Sequence, residues 1–465
     1  MSDQAVQTAE APAPAAAPTP SPSPAPPPPP AAAQTSKTSK TSLREGGRGT
    51  RNSVVLLVFT AVTNLADGVT KVVLPLLATA ASGSPAQVTS VSLTLSLPWL
   101  LVALHVGVLV DRVDRRRLLW GANALRLLAI GALIQVALSD GITIGVLCAV
   151  GATLGVAEVV ALTAASALIP SVVPPAGRER ANAWITGAET VCNEFCGPFF
   201  GGLLLAAGTG IALGTTWVAY LAAALVLVLL TGRFRAVRQH SDGDDGGSGD
   251  GGSGVPQPRE SVNQQIRGGL RYLWQQRMLR TMALILTVLC ACWGAWLALL
   301  PLFATQAMHL TSHQYGTVLS ALGIGGLLGA VAVTWLNRAF SRRWVMFADL
   351  VGTFGMMAVP ALTTQLWAVT AAAFAGGMGG TVWAVNARTI GQRLVPDDML
   401  GRYNAVARLF SWGAMPIGAG LIGLLAEWFG MRTAFLVFAA ATALTVVPFL
   451  RMVTPAALAE VFDDE

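Results

Sequence analysis

Twelve predominantly apolar stretches, each about 20 residues or longer, follow one another along this chain. That is the length a helix needs to cross the hydrocarbon of a bilayer. A backbone in hydrocarbon has no water to bond, so such stretches close their hydrogen bonds within themselves, as helices. The stretches lie at 53–80, 87–110, 118–138, 142–168, 183–207, 213–231, 280–305, 314–336, 344–362, 365–391, 403–428 and 433–450. Composition agrees: 53% of residues are hydrophobic, only 12% are charged, and mean hydropathy is +0.59. A soluble domain carries about 25% charged residues. The expected fold is an all-α membrane protein, with twelve transmembrane helices in two pseudo-symmetric six-helix bundles.

Residues 1–52 form a Pro/Ala-rich tail that favours extended conformations and builds no core. No apolar stretch with a cleavage site follows its start, so no signal peptide is expected and the tail reads as a disordered cytoplasmic segment. The first bundle is expected over 53–232 and the second over 280–452, with a short cytoplasmic tail at 453–465. Between the bundles, 233–279 holds the polar run SDGDDGGSGDGGSG, a flexible linker. It ends in SVNQQIRGGLRYLWQQRMLR, which predicts an amphipathic helix on the membrane surface.

The net charge of +6 comes from basic residues that fall between the apolar stretches, so it reads as topology rather than nucleic-acid binding. With the N-terminus inside, 25 of the 30 basic residues lie on the cytoplasmic side and only Arg432 on the other. Both termini are therefore expected in the cytoplasm of a multi-pass protein of a bacterial cell membrane. The five cysteines, Cys148, Cys192, Cys196, Cys290 and Cys292, all lie in apolar stretches, so neither a disulfide framework nor a zinc site is expected. The chain has no GxxxxGK[ST] loop, HExxH, GxSxG or CxxC. An ATP-driven pump, a protease or another enzyme is not expected, nor is a cofactor.

The two halves are related in sequence. VPPAGRERANA (173–183) matches VPDDMLGRYNA (395–405) at an offset of 222, and DRVDRRR (111–117) matches NRAFSRR (337–343) at an offset of 226. Each match joins equivalent loops, as parallel six-span repeats require.

These residues resemble the major facilitator superfamily. Gly107, then Asp111-Arg112, then Arg115 and Arg116 look like its signature in the second–third loop, with Asp114 where a second glycine is usual. Gly197-Pro198-Phe-Phe-Gly201-Gly202 is similar to the end of the signature of drug/proton antiporters, with Asn193 in place of an upstream glycine. NLADGVTKVVLPLL (64–77) and GAETVCNEFCGPFFGGLL (187–204) look like the exporter branch that includes macrolide and enterobactin efflux proteins. The resemblance implies that the second–third loop meets the eleventh helix, with Arg402 and Arg408, when the inner gate closes. A topology anchor is the plainer reading of the same charges.

Ionisable groups at membrane depth are costly and usually face an interior cavity. Asn64, Asp67 and Lys71 share one face of the first helix. Asp67 and Lys71 either neutralise each other or expose Asp67 to the cavity, with Arg126 as a partner. Glu158 has no basic residue near it in sequence, and a carboxyl group out of water can gain and lose a proton in a working range. Glu189 and Glu194 on the fifth helix complete the proton-coupling candidates, with Asn193 beside them. Trp293, Trp296, Trp383 and Trp412 either stack on an apolar ligand or fill helix interfaces. Gly197, Pro198, Gly201 and Gly202 allow close approach and a bend.

The function expected is proton-coupled export of an amphipathic small molecule by alternating access, with protons, substrate and lipid as partners and a monomer as the working unit. An importer of the same fold and a non-transporting membrane sensor are the alternatives. Reporter fusions along the chain are expected to map twelve crossings with both termini inside. An odd number, or a basic loop outside, would overturn the topology.

Overall fold

Helix ends in this chain are marked by residues that bond or release the backbone locally. Ser84, Asp114, Thr143 and Thr311 each cap a helix through a side-chain oxygen that accepts an N–H of its first turn. Gly208 (φ 140°) and Gly430 (φ 84°) turn the chain in backbone regions that a side chain resists. Gly430 stands 222 residues after Gly208, the offset that relates 173–183 to 395–405.

The computed structural model describes residues 35–173, 178–230 and 262–462. The Pro/Ala-rich run, residues 174–177, most of the linker and the last three residues lie outside the described residues. The compact helical body lies within Gly49–Glu465.

The first half comprises α1 (Thr35–Ala81), α2 (Pro85–Leu101), α3 (Ala103–Arg112), α4 (Arg115–Leu138), α5 (Ile144–Val172), α6 (Arg178–Glu189), a π-helical segment (Thr190–Cys196), α7 (Gly197–Ala207) and α8 (Thr209–Val228). The second half opens with α9 (Val262–Gln275) and α10 (Arg277–Gln306). It continues through α11 (Ser312–Leu362), α12 (Leu366–Leu394), α13 (Asp397–Trp412), α14 (Ala414–Phe429), α15 (Met431–Leu444), α16 (Val446–Met452) and α17 (Pro455–Phe462).

Among the described residues, 10 helices are long and apolar enough to cross a membrane. Two local features reconcile that number with twelve apolar stretches. First, α11 runs 51 residues, more than twice what a bilayer of about 30 Å needs. It breaks at Ser341 (φ 61°, ψ 149°). Gly325 and Gly352, on either side of that break, both lie against α12, at Phe374 and Ala375. The chain therefore reverses at Ser341, and α11 is two crossings. Second, the stretch 87–110 is divided at Val102, four residues after Pro98, into α2 and α3 of 17 and 10 residues. Neither part spans alone, and together they make the second crossing. The fold is two six-helix bundles.

The linker helix α9 packs on the second bundle. Its Tyr272 hydroxyl donates to the Leu394 carbonyl (2.8 Å), Leu273 is buried, and Gly269 lies against the Arg402 backbone. At the other end of the chain, Phe462 of α17 sits under two guanidinium groups, Arg342 at 3.5 Å and Arg393 at 4.4 Å from the ring centre.

The apolar core is continuous at one end of the body and divided at the other. At the end opposite α9, residues of both bundles share one cluster, from Val69 and Leu74 to Phe303, Tyr315 and Phe435. Toward the α9 end the bundles have separate cores, one around Phe59, Leu119 and Leu168, the other around Met346, Trp383 and Phe449. The shared end is sealed by backbone approach. A Cβ on Gly202 would lie 2.9 Å from the Gly316 Cα, and one on Gly423 would lie 3.0 Å from the Thr89 Cβ. Beside that seam, Glu427 accepts from the Ser84 hydroxyl (2.7 Å) and the Ala86 N–H (3.2 Å). The bundles thus share one core at this end and keep separate cores toward the α9 end.

Gly68 and Gly197 make a second tight crossing, within the first bundle. A Cβ on Gly197 would sit 2.6 Å from the Gly68 Cα, whereas one on Gly107 meets nothing within 4 Å. We expect Gly197→Ala to lower stability by about 1–3 kcal/mol through overpacking and Gly107→Ala to leave it unchanged. Thermal unfolding in detergent reads both. Equal melting temperatures for the two variants would refute the packing assignment.

Candidate functional site

The site is organised by α1. Its residues 60–71 place Thr60, Asn64, Asp67 and Lys71 along the helix, and each of the last three reaches a different helix of the same bundle. The Asp67 carboxylate, buried, accepts from Arg126 Nη2 of α4 at 2.5 Å on one oxygen and from the Tyr220 hydroxyl of α8 at 2.7 Å on the other. The Arg126 guanidinium lies 5.6 Å from the centre of the Tyr220 ring, and Asn123 ties the Tyr220 carbonyl to α4 at 2.9 Å. One carboxylate thus joins three helices. Removing a partner from such a buried pair leaves an uncompensated charge and costs about 3–5 kcal/mol.

Among the described residues, the closest acid to Lys71 is on another helix, not Asp67 one turn away. Lys71 turns to Glu158 of α5, with Nζ 3.5 Å from Oε1. The Glu158 side chain is 11% exposed and that of Lys71 36%, so the lysine is the open side of the pair. Glu158, with no basic residue near it in sequence, has one near it in space. Its partner is 87 positions away in sequence but one helix away in space.

The π-helical segment Thr190–Cys196 supplies the third link. A π turn adds one residue to a turn and displaces the face that follows. In this segment Asn193 donates from Nδ2 to the Asn64 Oδ1 at 3.0 Å, and Asn64 donates to the Thr60 carbonyl at 2.9 Å. Pro198 follows at the start of α7, where a missing N–H costs least. Gly201 packs on Val69 and Val72 of α1, and Gly202 on Gly316 of the second bundle.

Glu189, half-buried at the end of α6, lies within electrostatic reach of Glu158 and Lys71 and of Arg408 from the second bundle. Arg408 is exposed, with its guanidinium 5.9 Å from the Trp99 ring centre, and Trp99 stacks on Trp412 at 4.9 Å. These groups lie where the shared core divides. Trp412 is 43% exposed and Trp293 is half-buried against Gly380. Trp296 and Trp383 are each 1% exposed and fill helix packing, which removes them from the cavity-facing aromatics in this conformation.

The second–third turn is held by its own bundle. Asp114 caps α4 by accepting from the Arg116 N–H (2.9 Å), Arg115 donates to the Ala167 carbonyl (2.7 Å), and Arg112 is exposed. Arg402 packs on Gly268 and Gly269 of α9. The side chains of Asp111 and Glu194 lie outside the described residues.

Tyr220 is the residue that reading the sequence missed. A lone tyrosine in an apolar helix carries no signal unless one asks which buried acid its hydroxyl could satisfy. Among the described residues, no group of three or more His, Cys, Asp or Glu side chains could hold a metal ion.

Comparisons with known proteins place this architecture. The chain is similar to the multidrug efflux pump Tap of Mycolicibacterium fortuitum, 28% identical over 397 residues that cover 83% of this chain and 92% of that one. It is also similar to the enterobactin exporter EntS of Salmonella typhimurium, 26% identical over 345 residues, 71% of this chain and 75% of the relative. Two solved structures share the fold. A bacterial homologue of the iron transporter ferroportin, inward-facing, superposes with TM-score 0.66 at 16% identity, covering 87% of this chain and 98% of that one. A bacterial homologue of the human lysosomal transporter Spinster gives 0.63 at 13% identity, covering 86% and 96%. A family profile described as transmembrane secretion effector matches residues 51–463. From the first crossing to the carboxyl-terminal helix, therefore, the chain belongs to the transmembrane secretion effectors of the major facilitator superfamily, a family of transporters and not of enzymes.

Proposed function

We propose that the chain exports an amphipathic small molecule of the drug, antibiotic or siderophore class in exchange for protons, by alternating access. The observation that carries this is the chain of ionisable groups at membrane depth: Asp67 with Arg126 and Tyr220, Lys71 with Glu158, and Glu189 within electrostatic reach of Lys71, Glu158 and Arg408. Such groups are expensive in a membrane and mark ion and substrate pathways. The Tap and EntS resemblances support export and a small-molecule cargo.

The charge asymmetry of the loops supports a cytoplasmic position for the α9 end and both termini. A cleft between the separate cores then opens inward. In this state the acids are paired with cations, the form they take after losing protons. An amphipathic cargo enters past Trp412 and meets Lys71, the open member of its pair. Closure of the cleft and parting of the Gly202–Gly316 seam turn the same site outward. A proton on Glu158 cancels its attraction for Lys71, and one on Asp67 does the same for Arg126. Each loosens helices that the pair held, so protonation from outside favours release and return. The transporter works as a monomer, with all of these residues in one chain.

Everted vesicles with fluorescent amphipathic dyes test the reading. Dye accumulation driven by a proton gradient is expected in the wild type, with proton movement on adding dye. Asp67→Asn and Glu158→Gln are expected to abolish the proton movement. Dye flux that ignores the gradient, or unchanged coupling in both variants, would sink the proposal. Tyr220→Phe loses a hydrogen bond to a charged group, about 1.5–3 kcal/mol, and we expect a lower melting temperature with the site's shape retained.

A further inference from the structure

Asp349 lies in the second crossing of α11 and plays no part in the site above. It is 1% exposed. Its Oδ1 accepts from the Thr353 hydroxyl one turn along the same helix, at 3.3 Å. α12 presents to it the bare backbone of Gly379, where a Cβ would lie 2.6 Å from that same oxygen. α10 contributes Cys290, a neutral thiol, and the surrounding cluster is apolar, with Leu350, Trp383 and Phe449. Among the described residues, no Lys, Arg or His enters its electrostatic surroundings.

The internal repeat sharpens the contrast. At the 226-residue offset of the second–third loops, Asp349 takes the place of Asn123, and Gly352 takes the place of Arg126. The first bundle buries an acid together with its arginine. The second buries an acid where the arginine's counterpart is glycine. A carboxylate taken out of water without a cation costs far more than one hydroxyl hydrogen bond returns.

We propose that Asp349 is a proton-binding site of the second bundle, which holds its proton while α11 and α12 are packed as here and yields it to water when they part. In that step the carboxyl O–H bond breaks, the electron pair stays on the carboxylate and the proton passes to water. The site is separate from the Asp67–Arg126 pair, and its loading does not depend on which molecule is exported.

Infrared spectroscopy of the purified full chain in lipid at neutral pH tests this. Isotope-labelled aspartate is expected to shift a protonated-carboxyl band in the wild type, and Asp349→Asn, nearly the same shape, is expected to remove it. No label-sensitive band, or one that survives in Asp349→Asn, would overturn the proposal, and the labelled wild type gives that answer without any variant. Gly379→Ala pushes on the carboxyl oxygen and parts the two helices. The band is expected to weaken in that variant, and full strength in a properly folded sample would overturn the release step. None of these readings requires transport, so they stand apart from the exporter proposal.

Discussion

A charge inside a membrane protein must be met by another charge, by a proton, or by water, and this chain is arranged around that requirement. Asp67 is met by Arg126 and Tyr220, Glu158 by Lys71, and Glu189 lies within electrostatic reach of Arg408 of the second bundle. Because the partners come from α1, α4, α5, α8 and the second bundle, neutralising the charges also fixes how these helices pack. The link between chemistry and shape is therefore direct. Changing the charge of one carboxyl group alters the force between two crossings.

The large-scale plan is written plainly in the sequence. Apolar length gives the crossings, basic loops give their direction, and two short matches give the repeat. Each is a one-dimensional pattern with a one-dimensional cause, the thickness of the bilayer or the spacing of a duplicated unit. The acids were also legible, since a carboxyl group in an apolar stretch stands out against its neighbours. Their partners were not. Asp67 and Lys71 sit one turn apart and look like a pair, yet each turns to another helix, because the α1 face they share lies between α4 and α5. Helix rotation of that kind is set by packing at Gly68 and Gly197, which pattern alone does not order. The π-helical segment is illegible for a similar reason: it answers to what surrounds it, and its composition is that of an ordinary helix.

The comparison of halves adds a functional asymmetry to an architectural symmetry. Gly208 and Gly430 turn the chain at equivalent places, and both bundles keep a polar or acidic side chain at the level of Asn123 and Asp349. Only the first bundle supplies cations there. Duplication preserved the frame, while the charges that make the frame responsive diverged.

The seam between the bundles is made by Gly202 against Gly316 and by Gly423 against Thr89. At Gly202 and Gly316 backbone meets backbone, so no rotamer flip parts that contact. A thin or transient leak through it would require entire helices to separate. The barrier therefore behaves as a property of two rigid bodies: it is intact or it is gone, and whatever tilts one bundle against the other controls permeation as a whole.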